Sequence, residues 1–359
     1  MDKAGDNVDL LGMLPEEIEV FLQALGHPPY RARQLFSWLH RGAAFEEMTD
    51  LPGDLRSRLA GLARPGTLSL VDRLEAPDRA AKFGFQTADG HTIETVLIPH
   101  RNRTTVCVSS QIGCAFACPF CATGQRGLTR SLHSGEIVEQ VVQVQKAIRP
   151  TRVSNLVFMG MGEPLANYDA VLKAIRLLNS EHGLAIGARH IAISTCGLPN
   201  EIRRLAREGI QVALAISLHA ATDDVRDRLV PINRKYNIAE VMAAARHFAQ
   251  ETGRKVAFEY VVVPGANDTP EQARELARLL RVLPSMVNLI PRNPIEEGGR
   301  ADPDAAFRFA AFLERHGLEA VVRRSRGAEV LGACGQLASR AAGKKKAGRE
   351  ASRPARAKG

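Results

Sequence analysis

The sequence has no apolar run approaching the roughly eighteen continuous residues that a membrane-spanning helix needs. Its opening, MDKAGDNVDLLG, lacks the apolar stretch of a secretory leader. Both absences lead to the expectation of a cytoplasmic chain with no membrane partner. Cysteine is scarce, with six in 359 residues, and in a reducing compartment those six are not expected to form structural disulfides. Basic charge is scarce too, outside one end. The formal charge is +9, yet residues 340–359 hold eight Lys or Arg against one acid and so carry +7 of it. The rest is nearly balanced, which argues against a broadly basic fold and leaves a low-complexity basic arm able to touch phosphate, with a solvated, non-specific extension as the favoured reading.

What is present is a chain with 45% hydrophobic residues, enough for one large catalytic domain and a smaller one. From Pro15 to about Leu62, apolar residues recur at helical spacing: Ile18, Phe21, Leu22 and Leu25, then Ala32, Leu35, Phe36 and Leu39, then Leu51, Leu55 and Leu59. Gly26 to Pro29, Gly42 and Pro52-Gly53 break the pattern, which predicts a bundle of short helices. Arg31, Arg33, Trp38, His40 and Arg41 are candidates to face RNA, against the plainer reading of a packed tryptophan and solvated charges. KFGFQT and HTIETVLIP flank Ala88-Asp89-Gly90 and predict a hairpin, with Glu94 on its second strand.

From about residue 104, short apolar strands alternate with amphipathic helices: TTVCVSS, SNLVFMG, HIAISTC, VALAISL, KVAFEYVVV, MVNLIP and LEAVVRR are the strands. That alternation predicts an α/β fold with a parallel sheet, as a full or partial barrel, and chemistry at the carboxyl ends of the strands. Gly160-Met161-Gly162-Glu163-Pro164, Ser194-Thr195-Cys196, Ser217-Leu218-His219 and Asn293 fall at those ends. The expected division is a helical, candidate RNA-binding domain over 1–65, a hairpin extension over 66–100, a catalytic domain over 101–338 and a disordered basic tail over 339–359.

Half of the cysteines lie in eight residues, Cys114-Ala-Phe-Ala-Cys118-Pro-Phe-Cys121. Structural zinc wants four N or S ligands, and no second Cys or His pair stands nearby at zinc spacing. A redox Cys-x2-Cys pair would leave Cys114 idle. A 4Fe–4S cluster held by three thiolates would keep one iron open. This spacing, with an aromatic before the third Cys, resembles the radical S-adenosylmethionine (SAM) superfamily. There the open iron chelates SAM, and Gly162-Glu163-Pro164 stands where that superfamily contacts the SAM amine.

The combination VCVSSQIGCAFACPFCATGQRGLTR, VFMGMGEPLANYDAV, IAISTCGLP, ISLHA, NLIPRNP and GACGQL resembles the ribosomal RNA adenine-C2 methyltransferases of that superfamily, over roughly residues 15–338. The resemblance includes the N-terminal Tyr30-Arg31-Ala32-Arg33-Gln34 stretch. It implies a partial (β/α)6-type barrel that binds a 4Fe–4S cluster through Cys114, Cys118 and Cys121. SAM contacts are implied at Gly162, Glu163, Ser194, Ser217, Leu218, His219 and Asn293. Carbon 2 of adenine has no lone pair with which to attack a sulfonium methyl. The resemblance accordingly implies that Cys334 first carries the methyl group, that Cys107 releases the product as a disulfide forms, and that Glu94 accepts a proton. It implies a 23S rRNA substrate, a tRNA substrate as in some relatives, an electron donor such as flavodoxin or ferredoxin, and a monomer.

Cys196 matches no catalytic position and is expected to be an ordinary buried thiol. The run Ile295-Glu-Glu-Gly-Gly-Arg300 and Arg292 depart from the pattern near the expected RNA entrance, and the tail after Arg340 matches nothing in the family. A sister group that methylates carbon 8 tends to carry Gly-Glu-Ala, so Pro164 favours carbon 2. A radical SAM enzyme on another substrate, and a metal-dependent RNA-binding module without catalysis, are the alternatives from other classes.

Overall fold

The computed structural model describes residues 7–295 and 302–338. The basic tail and residues 296–301 of the loop after Asn293 lie outside the described residues.

Ten strands form one sheet whose order in space is their order in the chain. They are β1 (Ser69–Glu75), β2 (Ala81–Gln86), β3 (Thr92–His100), β4 (Arg103–Cys107) and β5 (Asn155–Phe158). There follow β6 (Ile191–Thr195), β7 (Ala213–Ser217), β8 (Val256–Val262), β9 (Ser285–Pro291) and β10 (Ala320–Val322). β1 to β4 run antiparallel to their neighbours. From β4 onward every neighbouring pair is parallel. β10 is a seventh parallel strand, and no pairing joins it to β1, so the sheet stays open as a partial barrel should.

Parallel strands need a crossover, and helices supply each one. α1 (Pro15–Ala24), α2 (Arg31–Leu39) and α3 (Gly53–Leu62) form the predicted N-terminal bundle. α4 (Ser134–Ala147) connects β4 to β5, α5 (Tyr168–Asn179) connects β5 to β6, and α6 (Pro199–Ala206) connects β6 to β7. α7 (Asp223–Leu229) and α8 (Ile238–Thr252) lie between β7 and β8, α9 (Pro270–Leu280) between β8 and β9, and α10 (Pro303–Arg315) between β9 and β10. The punctuation follows the sequence. Asn237 and Glu240 cap each other's end of α8, and Gly253, at φ +65°, stops that helix in the left-handed region that a side chain disfavours. α5 buries Val171, Leu172, Ile175 and Leu178, the stripe that its spacing predicts.

β1 was not expected. All seven of its residues are exposed, so it carries no one-sided apolar alternation to read, and a bulge between Leu70 and Asp72 breaks its register against β2. It extends the predicted hairpin into a three-stranded antiparallel ribbon joined directly to the barrel sheet.

The N-terminal bundle shares its core with the barrel, Ile18, Leu22, Leu35, Phe36 and Leu59 being buried in one continuous cluster with the strands. Lys173 of α5 pairs with Glu17 of α1 at 2.7 Å. Glu139 of α4 is buried and accepts the N–H groups of Thr67 and Leu68 at 2.6 and 2.8 Å. His40 corrects an expectation. It is buried, its ring stacks on Phe36 at 4.1 Å, and burial lowers it to about 4, so it faces the core rather than RNA. Trp38 is half-buried and donates its Nε1 hydrogen to Asp50, with the exposed Arg41 over its ring. Among the described residues no helix is long and apolar enough to cross a membrane.

Candidate active site

The three-cysteine loop springs from a small ribbon of its own, in which Gln111–Gly113 pairs antiparallel with Leu128–Ser131. Gly113 makes the exit possible. Its φ is +80°, and a Cβ there would stand 1.9 Å from the Gly127 carbonyl oxygen. Cys114 N–H donates to that same oxygen at 2.9 Å, closing the loop at its base. Arg130, at the end of the ribbon, forks onto Asp89 at the hairpin tip and onto Glu136 at the start of α4, with contacts of 2.7 to 2.9 Å. The loop is therefore anchored on both sides.

Within it the thiols of Cys114, Cys118 and Cys121 stand close enough to act on one another electrostatically. Among the described residues no three His, Cys, Asp or Glu side chains converge on a point where one metal ion could sit. A mononuclear zinc site requires such a point. A 4Fe–4S cube does not, because each thiolate takes a different iron at a different corner. The donor set is three sulfurs on one loop, and it fits a cluster. Cys196, expected to be an inert buried thiol, is instead at the site: its S–H donates to the Cys118 sulfur and holds Cys118 below the usual thiol range, with Arg226 acting in the same sense.

The strand ends gather round this loop. Gly162, at φ +98°, has room for no Cβ, which would meet the Gln111 side chain at 2.4 Å. Glu163 is buried and ties β5 to β6, accepting the N–H groups of Cys196 at 2.7 Å and Leu165 at 3.0 Å. Ser194 and Ser217 put their hydroxyls 3.4 Å apart on adjacent strands. Leu218 is buried, and its N–H donates to the Glu259 carbonyl. His219 has φ +58°, accepts the Val261 N–H at Nδ1 and is lowered by burial to about 3. It is a neutral ring whose edge meets Phe120 of the cysteine loop at 5.0 Å between centroids.

The segment bearing Cys334 docks on the same loop. Ala122 N–H donates to Gly335 O at 2.7 Å, and the Thr123 hydroxyl donates to Leu337 O. Gly335, at φ +82°, allows this approach, since a Cβ would meet the Phe120 carbonyl at 3.0 Å. Asn293 donates to Cys334 O at 3.0 Å and accepts the Ser325 hydroxyl at 2.6 Å. Cys334 is exposed at the surface, yet the protein packed around it desolvates the thiol and, with Glu259 acting in the same sense, raises it to about 11. Glu259, Cys121 and Cys107 all lie within its electrostatic reach. Cys107, the last residue of β4, is buried, and burial pushes its thiol far up. Two cysteines 227 residues apart are thus brought to one place.

Glu94 is not the solvated hairpin carboxylate that its sequence setting suggests. It is buried on β3 opposite Gly84 of β2 and forms a diagonal ion pair with Lys82 at 3.1 Å. Its other oxygen accepts the Ala338 N–H at 2.8 Å, so the carboxylate also latches the Cys334 segment.

A family model described as the radical SAM superfamily matches residues 108–280, and one described as the ribosomal RNA large subunit methyltransferase N-terminal domain matches residues 8–64. The chain is 46% identical to the probable dual-specificity RNA methyltransferase RlmN of Moorella thermoacetica, covering 92% of this chain and 97% of that protein. It is 46% identical to the dual-specificity RNA methyltransferase RlmN of Anaeromyxobacter dehalogenans, covering 94% of each. The chain belongs to the RlmN family. Like other radical SAM enzymes, RlmN-type methyltransferases use SAM and a 4Fe–4S cluster. The solved structure of a radical SAM methyltransferase from Sphaerobacter thermophilus matches the fold with a TM-score of 0.89 at 48% identity, over 92% of this chain and 99% of that one.

Four polar residues of this RlmN-type site escaped sequence reasoning. Lys82 and Glu259 sit on strands whose alternation gives no sign of a buried charge, and only the fold reveals their partners. Arg226 falls in the charged run DDVRDR, which reads as a solvated helix face. Cys196 had one usable signal, its place directly after β6 at a strand end.

Proposed function

We propose that this RlmN-type enzyme methylates carbon 2 of a peptidyl-transferase-centre adenosine in 23S rRNA and of an anticodon-adjacent adenosine in tRNA, through an S-methylated Cys334. The observation that carries the reading is the meeting of two thiols outside the cluster loop, Cys334 within reach of both Cys107 and Cys121. The cluster would be held by Cys114, Cys118 and Cys121. SAM would lie against Gly162, Glu163, Ser194, Ser217, Leu218, His219 and Asn293.

Cys334 loses its proton, and its sulfur displaces S-adenosylhomocysteine from a first SAM to become S-methylated. When bound, the cluster supplies the electron that splits a second SAM into methionine and a hydrogen-abstracting radical. The S-methyl group of Cys334 gives up one hydrogen atom, and its methylene carbon joins carbon 2 of the base. The radical adduct would return one electron to the oxidised cluster, and Glu94 would take the carbon-2 proton, which restores the aromatic ring. Cys107 attacks the Cys334 sulfur, the carbon–sulfur bond breaks, and the methylene gains a proton to become methyl. The disulfide left between Cys107 and Cys334 is reduced by external thiols.

Residues 1–65 would bind RNA, residues 66–100 would extend the sheet, and residues 101–338 would carry the chemistry. The basic tail would add phosphate contacts. A cytoplasmic monomer served by a flavodoxin or ferredoxin completes the reading. The test is nucleoside mass spectrometry of 23S rRNA from a deletion strain complemented with this chain, where 2-methyladenosine should return. If 8-methyladenosine appears instead, the carbon-2 reading is wrong. Cys334→Ala should abolish the product, and Cys107→Ala should trap protein and RNA as an adduct that survives denaturation.

A further inference from the structure

α7 carries Arg226, whose guanidinium is 0% exposed. Nε donates to Leu218 O at 3.0 Å. Nη1 donates to Asn233 Oδ1 at 2.8 Å and Tyr236 O at 3.4 Å, and Nη2 to Cys196 O at 2.6 Å and Ser217 O at 3.3 Å. All five acceptors are neutral. Among the described residues Arg226 forms no ion pair with a carboxylate, and Asp223 and Asp227 reach it through the Asn233 amide, at 3.0 and 2.7 Å. An arginine stays protonated when buried, so its charge has to be offset by an anion near by.

Asp223 and Asp227, held by the Asn233 amide, offset part of that charge, and the side chains flanking Arg226 show where a further anion would lie. Val225 and Leu229 of α7 pack against Cys118 in one small apolar cluster, with Phe120, Cys121 and Cys196 at its edge. The helix therefore lies directly against the three-cysteine loop. Within the packed protein, a fixed positive charge acts on a neighbouring negative one at low dielectric, where it is screened little.

We propose that Arg226 is the built-in counter-charge of the iron–sulfur site, offsetting the thiolates of the cysteine loop and making the cluster easier to reduce. This rests on the cluster assignment above. Reduction adds one electron and hence one negative charge next to Arg226, so the cation stabilises the reduced form more than the oxidised one. Arg226 is a positioning residue rather than a catalytic one, since its donors are all engaged with backbone and Asn233. Its fork also fixes the ends of β6 and β7 through the carbonyls of Cys196, Ser217 and Leu218. Charge and fork can be separated by substitution.

The experiment uses full-length protein reconstituted anaerobically with iron and sulfide. The midpoint potential of the cluster is read by redox titration monitored by electron paramagnetic resonance, alongside iron content and thermal unfolding. Arg226→Gln should keep a full iron load and shift the potential to more negative values, and Arg226→Lys, which keeps the charge and loses the fork, should return it most of the way. An unchanged potential in the Gln variant with a full cluster overturns the proposal. An equal shift in the Lys and Gln variants also overturns it, because the fork and not the charge would then be responsible. Should Arg226→Gln fail to fold, Asp227→Asn carries the test: removing an anion behind Arg226 should raise the potential, and no change overturns the proposal. A wild-type protein that takes up no cluster would instead sink the assignment on which the proposal rests.

Discussion

At pH 7 the Cys334 thiol, raised to about 11 by desolvation and by Glu259, is almost wholly protonated. Only about one molecule in ten thousand holds it as the thiolate that the proposed methyl transfer requires. Each step up in pH therefore enlarges the reactive fraction. Methyl transfer from SAM to Cys334 in a single turnover, followed by intact-protein mass, should rise by roughly tenfold per pH unit between pH 7 and 10. A flat profile would mean that a neighbouring base removes the proton, and Glu259, buried and within reach, is the carboxylate placed to do so.

Among the elements, the cysteine loop depends on one glycine. Gly113→Ala puts a methyl group 1.9 Å from the Gly127 oxygen at a backbone angle that alanine disfavours, and the two ends of the loop cannot then close as they do. The variant should fold, because most of the buried core lies in the parallel sheet and its helices, yet reconstitute with far less iron than wild type, as a colorimetric iron assay would measure. The loop's content was legible in the sequence, since three thiols at fixed spacing need no fold to be recognised. Its support was not. The ribbon Gln111–Gly113 with Leu128–Ser131 is too short to carry a periodic signal, and Arg130 holds it through Asp89, 41 residues away in the chain. The parallel strands and their helices were legible because each buries a regular face. β1 has no buried face and gave no sign of itself.

At the scale of the whole molecule, the segment leading from the N-terminal bundle into the sheet is fastened to α4 by a carboxyl in the wrong solvent. Burial raises Glu139 from 4.5 to about 7 in the folded chain. A raised folded value means that folding favours the protonated form. The resulting stability is fully present below about pH 4.5 and is lost as pH climbs through about 7, an effect on the order of 3 kcal/mol. Glu139→Gln keeps an acceptor for Thr67 and Leu68 and does not ionise. Its unfolding midpoint in urea should fall less than the wild type's between pH 5 and pH 8. The basic arm acts at this scale as well. Removing residues 340–359 takes away a charge of +7 and should make RNA affinity fall less steeply with added salt, measured by filter binding at several ionic strengths.

The sheet whose spatial order repeats the chain order has one more consequence, for synthesis on the ribosome. Each strand from β2 to β10 finds its partner in the strand made just before it, so the sheet can grow one strand at a time as the chain emerges, without waiting for a distant segment. The exception is the Cys334 segment, which is made last and closes over a loop made some two hundred residues earlier. During that interval the thiols of Cys114, Cys118 and Cys121 are without the segment that later docks on their loop, which under the proposed assignment leaves a window for delivery of iron and sulfide before Cys334 arrives.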